Sequence, residues 1–480
     1  MSFRITFIGA GSIGFTRKLV SDMLAVPELT GAEIVFTDIN PKNLDMVYQL
    51  CRRDIRANRL KTKLTAVRNR REALKNAGYV VNVSRVGGLE AFQTDIDIPL
   101  KYGIDQCVGD TLCAGGIMYG QRGIAAILDF CRDIREVSRP DCLLLNYANP
   151  NAMLTWAANK YGRVKTIGLC HGVEGGHNII ADALGLKRKD IDIICAGINH
   201  QTWYIQIRHQ GRDLTGRLLK ALEKHPIYSK TEKVRIDMLR RFGYFSTESN
   251  GHLSEYVPWY RKRPSEIKKW IDLGSWIHGE TGGYLRVCIE GRNWFETEFP
   301  KWMQEKPSVY EAKNRSGEHG SYIIEGLETG RAYRGFFNVV NQGCIANLAD
   351  DAIVEVPGYV DANGINIPRV GDLPPGCAAV CSASISVQRL AVEAAVHGND
   401  VLLRQAMMLD PLTGAVCNPP EIWQMVDEML VAQAQWLPQY KKAIREAEQR
   451  LKKGKLIKTG KYRGAARLPV RTVGELRKSQ

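Results

Sequence analysis

Three short stretches of this chain combine residue types and spacings that can do chemistry. Gly9-Ala-Gly11-Ser-Ile-Gly14 follows an apolar run and precedes an amphipathic one. In such a turn the first glycine permits the tight bend and the second lets backbone approach a pyrophosphate. The third lets helix pack on strand, and the helix N-terminus attracts the anion. Asp38 ends the next apolar run, where a ribose 2′-hydroxyl would lie, and an acid there favours NAD over NADP. The second stretch is Gly168-Leu-Cys170-His171-Gly172 and the third Gly197-Ile-Asn-His200. Alone, Cys170 reads as a buried structural thiol and His200 as a satisfied core histidine. Together, downstream of a dinucleotide motif, a thiolate and an imidazole are expected to chelate a divalent ion. Two ligands leave positions for the oxygens of a substrate.

Other segments point toward the same chemistry. Asn146-Tyr-Ala-Asn149-Pro150 ends an apolar strand, so the Asn149 amide could face a ligand at the carboxyl edge of a sheet. Asp110-Thr-Leu-Cys-Ala-Gly115-Gly116 closes a long Gly-rich stretch, expected to be a loop over the site. Thr247-Glu248-Ser-Asn-Gly-His252-Leu-Ser-Glu-Tyr256-Val-Pro-Trp gathers acids, a histidine and aromatics, a mixture that suits sugar rings as well as a core. His177 reads as a surface or supporting residue.

The elements that must position these residues follow from periodicity. Over the first 170 residues, short β-branched runs alternate with amphipathic helical stretches, the pattern of a parallel sheet with crossover helices. Strands are expected at Ile5–Ile8, Glu33–Thr37, Leu64–Val67, Tyr79–Val83, Cys142–Asn146 and Val164–Leu169. The helices between them are read at Ser12–Leu24, Pro41–Ile55 and Arg71–Ala77, with a long loop from Arg85 to Gly116 and then a helix to about Val137. After Cys170 the alternation breaks down. Two strands flank Gly197–His200, a β-like stretch covers Phe336–Val360, and long helices are expected at Ser384–Met408 and Glu421–Tyr440. The expected fold is α/β, a Rossmann-type doubly wound parallel sheet with a second, mixed α+β domain, as in the lactate/malate dehydrogenase-like superfamily. Its parts are a dinucleotide domain over 1–170, a substrate, metal and oligomerisation domain over 171–440, and a basic extension over 441–480.

Composition excludes several classes. Of 480 residues, 44% are hydrophobic and 24% charged, the proportions of a globular protein rather than a disordered or collagen-like one. No run approaches eighteen uninterrupted apolar residues, so neither a membrane span nor a signal peptide is expected. The twelve cysteines lack the spacing of a disulfide framework or zinc ribbon, which suggests reduced thiols and a cytoplasmic setting. The net charge of +15 suggests nucleic acid, but residues 441–480 hold fourteen Lys/Arg against three Glu and leave the body at +4. A near-neutral body fits a neutral substrate better than a polyanion. The tail is expected to be a solvated helix and segment, packed on a neighbouring subunit or disordered.

These motifs, in this order, resemble glycoside hydrolase family 4, the NAD- and manganese-dependent glycosidases. The resemblance rests on ITFIGAGS, DTLCAGGIM, NYANP, GLCHG, AGINH, GYFSTES…EYVPW and VDANGI, and spans roughly residues 3 to 440. It implies bound NAD+ and Mn2+, or another divalent metal, and a redox route in place of the usual carboxylate pair. Hydride leaves sugar C3 for NAD+, and the resulting ketone acidifies the C2 proton. A base removes that proton, the glycosidic oxygen is eliminated, water adds, and the hydride returns. The resemblance assigns Gly9, Gly11, Gly14 and Asp38 to the cofactor, Cys170 and His200 to the metal and Asn149 to the sugar. It further implies His171 as general acid and Tyr256 as base, with Glu248 and His252 as competitors for the base. A Tyr base requires a phenol pKa lowered by a nearby cation or metal.

Segments 241–259 and 359–365 resemble the melibiase-type bacterial α-galactosidases, so an α-galactoside is the expected substrate. Those members read Cys-His-Ser-Val, whereas Cys170-His171-Gly172 is similar to α-glucosidases and α-glucuronidases of the family. An α-glucosidase, an α-glucuronidase or a phosphosugar hydrolase are therefore alternatives, as is a plain NAD-dependent hydroxy-acid dehydrogenase. Cys113 and Ala114 stand where Gly-Pro is usual in the family, and the basic segment lies beyond the resemblance. A homodimer or homotetramer is implied.

Overall fold

A computed structural model of the chain describes residues 3–479. Its strands are β1 (Arg4–Ile8), β2 (Glu33–Thr37), β3 (Lys63–Ala66), β4 (Tyr79–Asn82), β5 (Leu143–Asn146), β6 (Thr166–Gly168), β7 (Asp192–Ile198), β8 (Gln201–His209), β9 (Arg212–Asp213), β10 (Phe245–Ser246), β11 (Tyr333–Val340), β12 (Ile353–Asp361) and β13 (Gly364–Asn366). All belong to one sheet, ordered β10-β8-β7-β12-β11-β6-β5-β4-β1-β2-β3, with β13 on β12 and β9 on β8. From β3 to β6 every pairing is parallel, in the order 3-2-1-4-5-6 of a doubly wound dinucleotide fold. Beyond β6 every pairing is antiparallel.

Alternation along the parallel strands buries both faces. Val80 and Leu144 join the cluster under helices Cys113–Val137 and Asn151–Lys160, while Val81 and Leu145 join Leu19, Val20 and Val47 on the other face. One register row crosses the junction of the two sheet regions: Gly168, Asn338, Glu355 and Gly197 are successive partners across β6, β11, β12 and β7. Cys170 lies two residues beyond this row at one end, and His200 three beyond at the other. At Gly168 a Cβ would lie 1.9 Å from the Asn151 side chain, so only glycine lets the helix after Asn149-Pro150 close on the sheet.

The structure corrects several expected elements. The presumed loop from Arg85 to Gly116 contains a helix, Gly88–Lys101, which buries Ala91, Phe92, Ile96 and Leu100; irregular backbone is confined to its flanks. The flanking glycines masked this 3.6-residue pattern. The helix read at Arg71–Ala77 is shorter, Arg70–Leu74, and starts at an Asn69 cap that accepts from two amides. The single helix expected at Ser384–Met408 is two, Pro375–His397 and Asp400–Leu409. Gly398 at φ +60° ends the first, and the Asn399 side chain caps the second. The helix expected to reach Tyr440 stops at Ala432 and continues as two 3-10 turns. One helix, Pro375–His397, is long and apolar enough to cross a bilayer by length and composition alone. Half of it is buried in this fold, where its Cys377, Ile385, Val387, Ala391 and Val392 join the core.

The basic segment is largely exposed, as expected, but it packs on the body of its own chain. Helix Lys441–Lys453 buries Ala443, Ile444 and Ala447 against helix Pro419–Ala432, and Arg450 pairs with Asp427 at 2.8 Å. The remaining residues run across the body of their own chain and end in helix Val473–Lys478. Eight lysines and six arginines give the segment its charge, and four of the arginines pair with acids of the body.

Deep between helices Gly88–Lys101 and Cys113–Val137, Arg122 meets Asp95 through two bonds of 2.6 and 2.9 Å, with both side chains about 1% exposed. Removing one partner strands a buried charge, so Arg122→Leu is expected to cost about 3–5 kcal/mol in urea unfolding. Leucine at both positions should recover part of that loss.

Candidate active site

The Gly-rich turn leaves β1 with Gly9 at φ +81°, where a Cβ would lie 2.5 Å from the Ser84 backbone. A Cβ on Gly11 would lie 2.9 Å from Asp38 Oδ2, and that oxygen accepts the Gly11 N–H at 2.8 Å. Asp38 thus fastens the turn to the end of β2, and its other oxygen accepts from the Asn40 amide. Gly14 departs from its expected packing role: no atom lies within 4 Å of a Cβ built there. It opens space in front of helix Ile13–Leu24, whose first turn carries neither an acid nor a side-chain cap. The first-turn N–H groups of the helix, its positive end and that opening fit a dinucleotide pyrophosphate.

Cys170 and His200 do come together, and Glu248 joins them. The Cys170 thiol, His200 Nε2 and a Glu248 oxygen lie within 4.8 Å of one another. His200 Nε2 is 2.8 Å and Cys170 Sγ 3.8 Å from Glu248 Oε2. Cys170 follows β6, His200 turns the β7–β8 hairpin, and Glu248 follows β10. Burial drives the Cys170 thiol well above its usual pKa, with Glu248 and Glu355 adding to the rise. Burial would also raise Glu248, but the imidazoles of His200, His252 and His171 hold it well below the usual range. For His200 burial opposes the charged form, and Glu248 outweighs it to raise the pKa. Stripped of the thiol and imidazolium protons, this is a thiolate–imidazole–carboxylate set. Three such donors would leave open positions on a bound ion.

The local sequence explains the convergence. Gly172 leaves room for Glu248, since a Cβ would stand 2.8 Å from Glu248 Cγ. His200 sits at φ +62°, a strained value for a non-glycine residue, and Thr111 Oγ1 meets its Nδ1 at 3.1 Å. Thr111 is wedged in turn by Gly116, where a Cβ would lie 2.5 Å from the Thr111 carbonyl carbon. The Asn149 amide donates to Asp110 Oδ2 at 3.1 Å, which leaves its carbonyl oxygen for a ligand.

His171 caps the following helix with its side chain half exposed. Nδ1 is 3.5 Å from Glu318 Oε1, and that contact pushes its pKa up to about 9. Tyr256 is fully buried with no partner for its hydroxyl, one ring away from the triad: His252 is edge-on to both His200 and Tyr256. The lowered phenol pKa required of a base is not what the protein alone provides, because burial and the carboxylates Glu255 and Asp110 raise it well above the usual value. His252 is held near pKa 4 by burial and bonds Ser249 at 2.6 Å. His177 is buried beside Arg188, rather than at the surface.

Residues 4–186 match the profile described as Family 4 glycosyl hydrolase, and residues 195–413 that of the Family 4 glycosyl hydrolase C-terminal domain. An alpha-galactosidase of Rhizobium meliloti is 57% identical over 99% of this chain and 97% of its own length. The chain belongs to glycosyl hydrolase family 4. An alpha-galactosidase of Bacillus subtilis is 35% identical to this family 4 hydrolase over 91% of this chain and all of its own. Among solved structures, a 6-phospho-beta glucosidase of Thermotoga maritima with manganese, NAD+ and glucose-6-phosphate superposes at a TM-score of 0.74. It is 22% identical, over 90% of this chain and 99% of that one, and shares the fold.

Glu248 as a donor and the supports Thr111 and Glu318 were not singled out by sequence. The only signal was the density of acids and histidines after Thr247. Cobalt(II) titration tests the donor set: a thiolate-to-cobalt charge-transfer band is expected and should vanish in Cys170→Ser. In Gly116→Ala it should need about tenfold more metal, the lower end of supporting-residue effects.

Proposed function

We propose that this family 4 hydrolase cleaves α-galactosides with NAD+ and a divalent ion, Mn2+, in a site built by residues 1–170 and 171–440. The observation that carries the reading is the Cys170–His200–Glu248 donor set on the same fold as an open, uncapped dinucleotide turn. The alpha-galactosidase name of the 57% identical relative supports the sugar. When bound, NAD+ supplies a hydride acceptor and the metal a Lewis acid.

The residues then divide the work. The Gly9–Gly14 turn and Asp38 hold the cofactor. Asn149, its amide occupied by Asp110, accepts a sugar hydroxyl. His171, kept protonated at neutral pH by Glu318, gives a proton to the departing glycosidic oxygen. Tyr256, its buried hydroxyl without a partner, would take the sugar C2 proton; a bound cation would supply the positive charge that opposes the burial and carboxylates raising its pKa. His252, neutral and hydrogen-bonded to Ser249, orients the cluster.

Electrostatics favour a neutral sugar over a phosphorylated or uronic one. Lys18 is paired with Glu318 at 3.2 Å. Arg261 is spent on Asp105 at 2.8 Å, and Arg85 lies over the rings of Phe92, Tyr119 and Tyr284 with Asp110 3.6 Å away. An added substrate anion would compete with Glu248, Asp110 and Glu318. The twelve cysteines are all free, which fits a reducing cytoplasm. A homodimer or homotetramer is the proposed assembly, to be read by light scattering.

Nitrophenyl α-galactoside should be hydrolysed only when both NAD+ and Mn2+ are present, with deuterium entering product C2 in D2O. Turnover indifferent to both cofactors would overturn the mechanism. Faster cleavage of the α-glucoside, uronic or 6-phospho substrates would overturn the sugar.

A further inference from the structure

The C-terminal segment touches none of the site residues, yet its polar contacts converge on the backbone that carries them. Tyr462 Oη and the Ala465 amide donate to the same oxygen of Asp105, at 3.0 and 2.9 Å. The other Asp105 oxygen accepts from Arg261 at 2.8 Å, deep in the body, and Arg261 also donates to the Gly279 carbonyl. Both side chains of that ion pair are essentially buried. Ala466 exchanges two hydrogen bonds with Thr281, and Gly464, at φ +94°, lies so close that a Cβ would meet Thr281 at 2.4 Å. Further along, Arg467 pairs with Asp97, Arg471 with Glu290 at 2.9 Å, and Arg477 with Glu298.

From Asp105 the route inward is continuous. The next three amides after Gln106, those of Cys107, Val108 and Gly109, all donate to the Glu255 carboxylate at 2.7–3.0 Å. Asp110 and Thr111 follow directly, one bonded to Asn149 and the other to His200. Cys107 also bonds the Trp276 carbonyl, and the Trp276 ring lies edge-on to His252. One end of a seven-residue loop is therefore gripped by the C-terminal segment, and the other end orients a candidate metal ligand and a candidate sugar contact.

We propose that residues 455–479 form a positioning strap for the metal and sugar site, acting through Asp105 and the 105–111 loop on His200 and Asn149. The strap supplies two of the donors to a buried carboxylate, so without it Asp105 Oδ2 loses both and the loop loses its outer anchor. The cofactor turn follows β1 at the same sheet edge, and none of the hydrogen bonds described for the strap reaches Gly9–Gly14. The proposal rests on the function proposed above for the meaning of His200, but not for the mechanical coupling itself.

Three variants test it: deletion of 456–480, Gly464→Val, which blocks the seat on Thr281, and Tyr462→Phe. Hydrogen exchange by mass spectrometry should show amides of 105–111 exchanging at least tenfold faster, with β1 and β2 unchanged. Mn2+ affinity, read by the paramagnetic resonance of free Mn2+ without substrate, should fall about tenfold, while NAD+ affinity by tryptophan fluorescence stays within twofold. A synthetic 455–480 peptide should restore slow exchange to the deletion variant. Unchanged exchange at 105–111, or exchange accelerated equally throughout the chain, would overturn the strap. Should the deletion fail to fold, the two point variants carry the test. Absence of Mn2+ binding in the unaltered protein would count against the proposed function, and the exchange result would still decide the strap.

Discussion

The contact between His200 and Glu248, with Cys170 beside it, is the constraint around which the rest of the structure is arranged. Three donors from segments up to 78 residues apart meet in a buried pocket, where each alone would be costly to ionise. The solution is mutual: imidazole and carboxylate each favour the other's charged form, while burial disfavours the thiolate. Several backbone features nearby serve that meeting. Gly172 clears room for Glu248, the strained turn aims His200, and Gly116 lets Thr111 close on its back. Such strain persists only where the surroundings over-determine it.

Much of this was legible in the sequence because it is local. The Gly9–Gly14 turn, the strand alternation and the placing of Cys170 and His200 after strands all depend on neighbours within a few residues, and the strand order follows from right-handed crossovers. What escaped was non-local. Glu248 looks like one acid in a polar stretch until β10 pairs with β8 and brings it to the hairpin. Gly14 fits the consensus reading of a packing glycine, but what matters is the empty space its hydrogen faces. Helix Gly88–Lys101 was hidden between glycines, and its reason to form, burial of Phe92 and Ile96 against Leu285, lies two hundred residues away.

The charge of the chain teaches the same lesson in electrostatic terms. A tail with a net +11 reads as a polyanion binder when counted, but counting ignores where each arginine goes. Arg450, Arg467, Arg471 and Arg477 answer Asp427, Asp97, Glu290 and Glu298 of the same molecule. Exposed pairs of this kind contribute little singly. Their value here is geometric, since they spread one segment along helices Gly88–Lys101 and Gly283–Trp302 and bring Tyr462 to Asp105.

The unbroken sheet has a consequence for how such a catalyst can work. Many enzymes with two lobes open and shut about a hinge between them. Here backbone hydrogen bonds run from β3 through β6 and β11 to β10, so the lobe bearing the dinucleotide turn and the lobe bearing the donor triad share one girder. A jaw-like motion would have to tear that ladder. Passage of a sugar by small movements of side chains and loops at the rim is the route that leaves this continuity intact. A reaction that removes a hydride and later returns it to the same carbon profits from that stiffness: the atom that lent the electrons is still in reach when they are due back.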